Sequence, residues 1–255
     1  TKDGIIDVEK LKKAVRKDTA LVSVMFVNNE TGVIQPIKEI GEFLKEKEIF
    51  FHTDAVQAIG KFEIYPKELR IDALTVSSHK FYGPKGTGFV FIDKKYNIEK
   101  EIFGGSQERN RRAGTENVNG ILGTGVALEE VYEKMEMIFE HEKKIQEYLE
   151  EKLKNEIGRI QKVEINGENS RRVKNITNVF IENTDIQMLL VALDMRGICV
   201  SGGSACMSGS LENSYVLEAM GLNDEKLKSS FRISIGKDTT IEEIDYFIEN
   251  LKEII

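Results

Sequence analysis

Short apolar runs alternate along this chain with stretches whose apolar positions recur every three or four residues. Residues 21–27 form an almost continuous valine-rich run, the pattern of a strand covered on both faces. Asn28-Asn29-Glu30-Thr31-Gly32 then has turn chemistry. Pro36 suits the first turn of a helix reaching about residue 47, with Ile37, Ile40, Phe43 and Leu44 on one face. Residues 49–52, 71–76 and 89–92 read as three further strands, the last after a glycine-rich turn. Strand–helix–strand order with buried strands predicts an α/β sheet containing parallel pairs. Ahead of it, Asp7 is placed to cap a short helix that turns Val8, Leu11 and Val15 inward.

From residue 118 to about 155 the pattern is helical without a clear internal cap, a length that suits a connection between two lobes. Beyond it the texture changes. Residues 163–165, 179–181, 198–201 and 231–235 predict short strands, and 185–196 and 240–255 predict helices. Thr240 with Glu243 fits a capping box. The expected architecture is a larger α/β domain over residues 1–135 and a smaller C-terminal α/β domain over 136–255.

Composition narrows the function classes. The 255 residues are 40% hydrophobic and 31% charged, ordinary for a globular protein, with a net charge of -7. Basic residues are dispersed, so nucleic acid, which needs a concentrated basic face, is not an expected partner. No apolar stretch approaches the roughly 20 residues that span a bilayer, so no membrane association is expected. Two cysteines and three histidines offer no structural zinc spacing, and so few cysteines suit a reducing cytosol.

Four places carry candidate chemistry. Ser77-Ser78-His79-Lys80 follows a strand directly and leads into Gly83-Pro84-Lys85-Gly86, where ligands of open α/β sheets bind. Lys80 there suits a phosphate as a point charge or a carbonyl as a Schiff-base amine; a solvated loop lysine satisfies the same spacing. Asp54 also ends a strand, where it could bind a metal, act as a base, pair with a protonated ring nitrogen, or cap the next helix. Residues 201–210 hold three glycines and four serines around Cys206. Such neighbours cannot pack a core, which favours an accessible nucleophile over a passive thiol. Cys199, between Ile198 and Val200, reads instead as a buried small hydrophobe. Arg232 alternates with apolar residues on a strand, so it either clamps a carboxylate or faces solvent. The glycine-rich stretch 104–117 carries Arg109, Arg111 and Arg112, able to hold anions or simply be solvated.

Taken together, these segments resemble the NifS/IscS-type cysteine desulfurases, in the class V aminotransferase family of fold-type I pyridoxal 5'-phosphate (PLP) enzymes. The matching stretches are residues 27–32, His52-Thr53-Asp54-Ala55-Val56-Gln57, Ser77 to Gly86, Arg112 to Asn117, and Ser204-Ala205-Cys206 followed by Ser214-Tyr215-Val216-Leu217. The resemblance implies a fold-type I transferase, with residues 1–135 the C-terminal portion of the large PLP-binding domain. It implies that Lys80 joins the cofactor, Asp54 pairs with the pyridine nitrogen, and Gln57 meets the ring hydroxyl oxygen. Ser77 and His79 would hold the phosphate, with Thr115 reaching it from the second subunit of a homodimer. Asn29 would lie near the ring and the substrate carboxylate, and Arg232 would clamp that carboxylate. Cys206 would take sulfur from L-cysteine as a persulfide and pass it to an iron-sulfur scaffold or other acceptor, where it could also ligate a cluster transiently. The family also has a segment ahead of this stretch, supplying a phosphate-binding turn and a histidine stacked on the ring. Other readings are a selenocysteine lyase or aminotransferase of the same fold, or a silent fragment that docks an iron-sulfur scaffold.

Overall fold

The computed structural model describes residues 1–203 and 213–255. The chain divides into two compact units, one of residues 15–26 and 37–135, the other of residues 1–14, 27–36 and 136–255.

The unit of residues 15–26 and 37–135 is built on a four-stranded sheet in the order β1 (Leu21–Met25), β2 (Phe50–Asp54), β3 (Ala73–Ser77), β4 (Gly88–Ile92). The first two pairings are parallel and the last antiparallel. Helix α2 (Ile37–Glu46) crosses from β1 to β2 and buries Ile37, Ile40 and Leu44, the face its periodicity predicts. In β2 burial alternates, with Phe51 and Thr53 covered and His52 and Asp54 on the other, more open face. Between β4 and helix α4 (Val118–Glu133) lies a polar stretch with the single-turn helix α3 (Gln107–Asn110). Glu108, Arg109 and Asn110 there have positive φ, so this stretch is held by local turns. Asn117 caps α4 by accepting from the Gly120 amide.

The long helical pattern is two helices. α4 ends at Lys134, whose φ of -102° and ψ of 8° interrupt the helix, and α5 (Met135–Asn155) follows. Each half serves a different core: Val131 of α4 packs on Gly60, whereas Ile145, Leu149 and Leu153 of α5 join the C-terminal cluster.

In the other unit, α1 (Val8–Ala14) is capped by Asp7 and carries Val8 and Leu11 half-buried, with Val15, equally half-buried, just after it and counted in the sheet-bearing unit. A three-stranded antiparallel sheet runs β5 (Val163–Ile165), β6 (Ile176–Ile181), β7 (Ser230–Ser234). Against it pack α5, α6 (Ile186–Asp194) and α9 (Ile241–Ile254), around Leu149, Val179, Leu193, Phe231 and Leu251. Two short helices, α7 (Tyr215–Ala219) and α8 (Asp224–Lys228), precede β7. Thr240 and Glu243 form the expected capping box.

Two expectations fail between α6 and residue 203. Residues 198–201 are not a strand. Gly197, at φ 74°, and Ile198 close the end of α6 with amides bonded to Asp194 O and Leu193 O, so only Ser201 is left to bridge β7. Cys199 is exposed: Ile198 and Val200 turn toward the core, and alternation sends the residue between them outward.

Phe231 is fully buried in this core, so Phe231→Ala should cost about 3–5 kcal/mol. Thr240→Ala, removing only a cap, should cost about 1 kcal/mol. Urea unfolding of both variants checks the order; equal losses would contradict the packing described.

Candidate active site

The site begins with strand register. Met25 pairs with Asp54, and Asp54 with Thr75, so β2 and β3 end within two residues of each other. Ladder bonds continue past the strand ends, from Phe26 N to Asp54 O at 2.8 Å and from Ala55 N to Thr75 O at 3.0 Å. Asp54 and Ser77 therefore sit at the carboxyl ends of adjacent parallel strands, the edge where open α/β sheets bind ligands.

Asp54 does not cap a helix. Residues 55–58 form turns, and Asp54 Oδ1 accepts from the Val56 amide at 2.9 Å. One carboxylate oxygen is thus committed to fixing the side chain. Gln57 lies half-buried in the same turn.

After Ser77 the chain makes one 3-10 turn over Ser78–Phe81. At three residues per turn, Ser78 and Phe81 share one face and are buried, leaving His79 and Lys80 exposed. Ser78 anchors the turn: its Oγ lies 2.9 Å from Thr124 Oγ1 of α4, its amide bonds Thr87 O, and its carbonyl accepts from Gly83 N. Thr124 in turn donates to Gly120 O at 2.7 Å. Gly83 is required, because a Cβ there would lie 2.2 Å from Ser78 Oγ. Nothing in the sequence marks the roles of Ser78 and Thr124, since buried hydroxyls carry no pattern signal.

His52 is a second residue whose role the sequence leaves unread. It precedes Asp54 by two positions on the same face, with Nδ1 2.7 Å from Ser23 Oγ and Nε2 3.2 Å from Thr75 Oγ1. The imidazole ties β1, β2 and β3 together beneath the strand ends. Burial pushes its pKa below the ordinary value, opposed by the charge of Asp54.

Lys80, His79, Ser77, Asp54, Gln57 and Thr115 all belong to this one unit, with Thr115 exposed on the polar stretch before α4. Asn29 and Arg232 belong to the other, where Arg232 Nη1 donates to Asn29 O at 2.9 Å. Arg232 is not a freely solvated surface residue, since it is half-buried and tied to that turn. Cys206 lies outside the described residues. The donor set at the strand ends suits a phosphorylated pyridine aldehyde. It offers an exposed amine, an imidazole in the same turn as that amine, a hydroxyl on the strand residue just before the turn, and a carboxylate fixed through one oxygen.

The sequence model of the aminotransferase class-V family matches residues 1–247. Cysteine desulfurase IscS of Clostridium botulinum (strain Hall) is 47% identical over 255 residues, 99% of this chain and 64% of that protein. The chain thus spans less than two-thirds of that relative's length. Among solved structures, the NifS-like protein from Rickettsia africae ESF-5 matches with a TM-score of 0.90 at 38% identity, over all of this chain and 68% of that one. SspA, solved in complex with cysteine, matches with a TM-score of 0.77 at 31% identity, over 94% of this chain and 65% of that one.

Because the folded-state pKa of His52 is lowered, the unfolded chain takes up the proton first, and stability falls as pH drops below about 6.5. His52→Gln should remove that part of the fall. Thermal melts between pH 7.5 and 5.5 check it, and an unchanged pH slope in the variant would contradict the assignment.

Proposed function

The chain belongs to the aminotransferase class-V family, and on that premise we propose that the whole protein is a PLP-dependent cysteine desulfurase. It converts L-cysteine to L-alanine and retains the sulfur as a persulfide on Cys206. The observation that carries this reading is the placement of Ser77 at the end of β3, with His79 and Lys80 in the turn that follows it, at the strand edge that also presents Asp54. The desulfurase name of the Clostridium relative and the cysteine bound in SspA support the choice of substrate.

PLP, when bound, supplies an electron sink for charge developing at the substrate α-carbon. The residues of this chain do the rest. Lys80 would hold the cofactor covalently, and its amine would take the α-proton. Asp54, fixed through Oδ1 by the Val56 amide, would use its other oxygen to keep a proton on the ring nitrogen. Gln57 would donate to the ring hydroxyl oxygen. Ser77 and His79 would bind the phosphate, joined by Thr115 of a second subunit in a homodimer. Arg232, with Asn29 beside it, would receive the substrate carboxylate. Cys206 forms an S–S bond to the substrate sulfur as the C–S bond breaks, and the electron pair of that bond stays with the alanine skeleton, which gains a proton. An iron-sulfur scaffold or another acceptor then takes the outer sulfur. We assign the unit carrying Lys80 to the large cofactor-binding domain, the unit carrying Arg232 to the small one, and the protein to the cytosol. No helix among the described residues is long and apolar enough to cross a membrane.

In the PLP-loaded holoenzyme, Cys206→Ser should keep the visible absorbance of the bound cofactor. Alanine release from L-cysteine should drop at least about a hundredfold. Lys80→Ala should lose the absorbance of the covalently held cofactor. Normal alanine release by the serine variant, or an unchanged spectrum in the alanine variant, would contradict the roles given.

A further inference from the structure

Glu30 is a carboxylate only 1% exposed, and it has no part in the chemistry described so far. Burying a carboxylate is costly unless its oxygens are used, so what they touch is informative. Glu30 Oε2 accepts from Ser214 Oγ at 2.5 Å. The same oxygen lies 3.5 Å from where a Cβ on Gly203 would stand. Gly203 and Ser214 lie one on each side of residues 204–212, which contain Cys206. The carboxylate of Glu30 therefore sits where the chain enters and leaves that stretch.

Both ends are tied further. Ser201 exchanges two backbone bonds with Arg232, at 3.1 and 2.6 Å, and its Oγ donates to Gly203 O at 3.0 Å. Ser214 caps α7 by accepting from Leu217 N at 3.2 Å. A hydroxyl has a single hydrogen, so Ser214 donates to Glu30 while it accepts from Leu217, which fixes its rotamer. Glu30 is equally constrained. Asn28 Oδ1 accepts from the amides of Glu30 and Thr31, both at 2.9 Å, and Glu30 O accepts from Asn178 Nδ2 at 3.3 Å. Burial pushes the Glu30 carboxyl up, and the Ser214 hydrogen bond and the charge of Arg232 pull it down. All of these residues belong to one unit.

We propose that Glu30 is a positioning residue for sulfur transfer, pinning Ser214, just beyond the Cys206-bearing stretch, to the turn that also holds Arg232. The proposal rests on the desulfurase reading. Its chemical sense is entropic: a fixed anchor close in sequence to a nucleophile lowers the ordering cost of its attack.

The test uses holoenzyme carrying Glu30→Ala, Glu30→Gln or Ser214→Ala. Three quantities are read: the single-turnover rate of persulfide formation on Cys206, the cofactor spectrum with the KM for L-cysteine, and amide hydrogen exchange over residues 214–220. In Glu30→Ala, persulfide formation should slow about tenfold, the loss expected for one charge-assisted hydrogen bond, with spectrum and KM within twofold of wild type. Exchange at Leu217 should quicken. Glu30→Gln, whose amide oxygen still accepts from Ser214, should recover most of the rate, and Ser214→Ala should fall between. A Glu30→Ala rate within twofold of wild type overturns the proposal, as does a loss that glutamine fails to rescue. If the wild type forms no persulfide on Cys206, the desulfurase reading falls on its own. Exchange then decides the anchoring role, and unchanged exchange in Glu30→Ala overturns it.

Discussion

Parallel pairing of β1, β2 and β3 in one register is the constraint from which the candidate site follows. A parallel strand commits its amides and carbonyls to both neighbours, so β2 cannot slip by one residue without exchanging its faces. A slip would bury His52 and Asp54 and expose Phe51, which is fully buried. Apolar cost therefore holds a carboxylate at the strand edge. The bonds from Phe26 N to Asp54 O and from Ala55 N to Thr75 O extend that hold to the last residue of β2.

The same economy operates in the turn that follows β3. Its 3-10 geometry sorts four consecutive residues into a buried pair, Ser78 and Phe81, and an exposed pair, His79 and Lys80. The inward hydroxyl locks to Thr124, so the outward amine starts from a backbone with little freedom. The other unit uses a comparable device. The turn from Asn28 to Thr31 holds Arg232 through the Asn29 carbonyl and Ser214 through the Glu30 carboxylate.

The strands and helices were largely legible because apolar period and caps are local signals. Ile37, Ile40 and Leu44 mark the buried face of α2, and Thr240 with Glu243 marks the start of α9. The strand-end placement of Asp54 and Lys80 was legible for the same reason. What stayed hidden depends on partners distant in sequence. The break at Lys134 lies between two helices that pack into different cores, and the absence of a strand at 198–201 reflects the amides of Gly197 and Ile198 closing the end of α6. Glu30 and Ser214 are 184 residues apart, and Ser78 and Thr124 are 46 apart, so no window on the sequence joins them.

Cofactor attachment at the amine that follows β3 can be read out by reductive trapping. PLP-loaded protein would be treated with borohydride, digested, and its peptides weighed. A pyridoxyl-phosphate adduct is expected on Lys80 and on no other lysine. A label on a different lysine, or none on Lys80 at full cofactor loading, would contradict it.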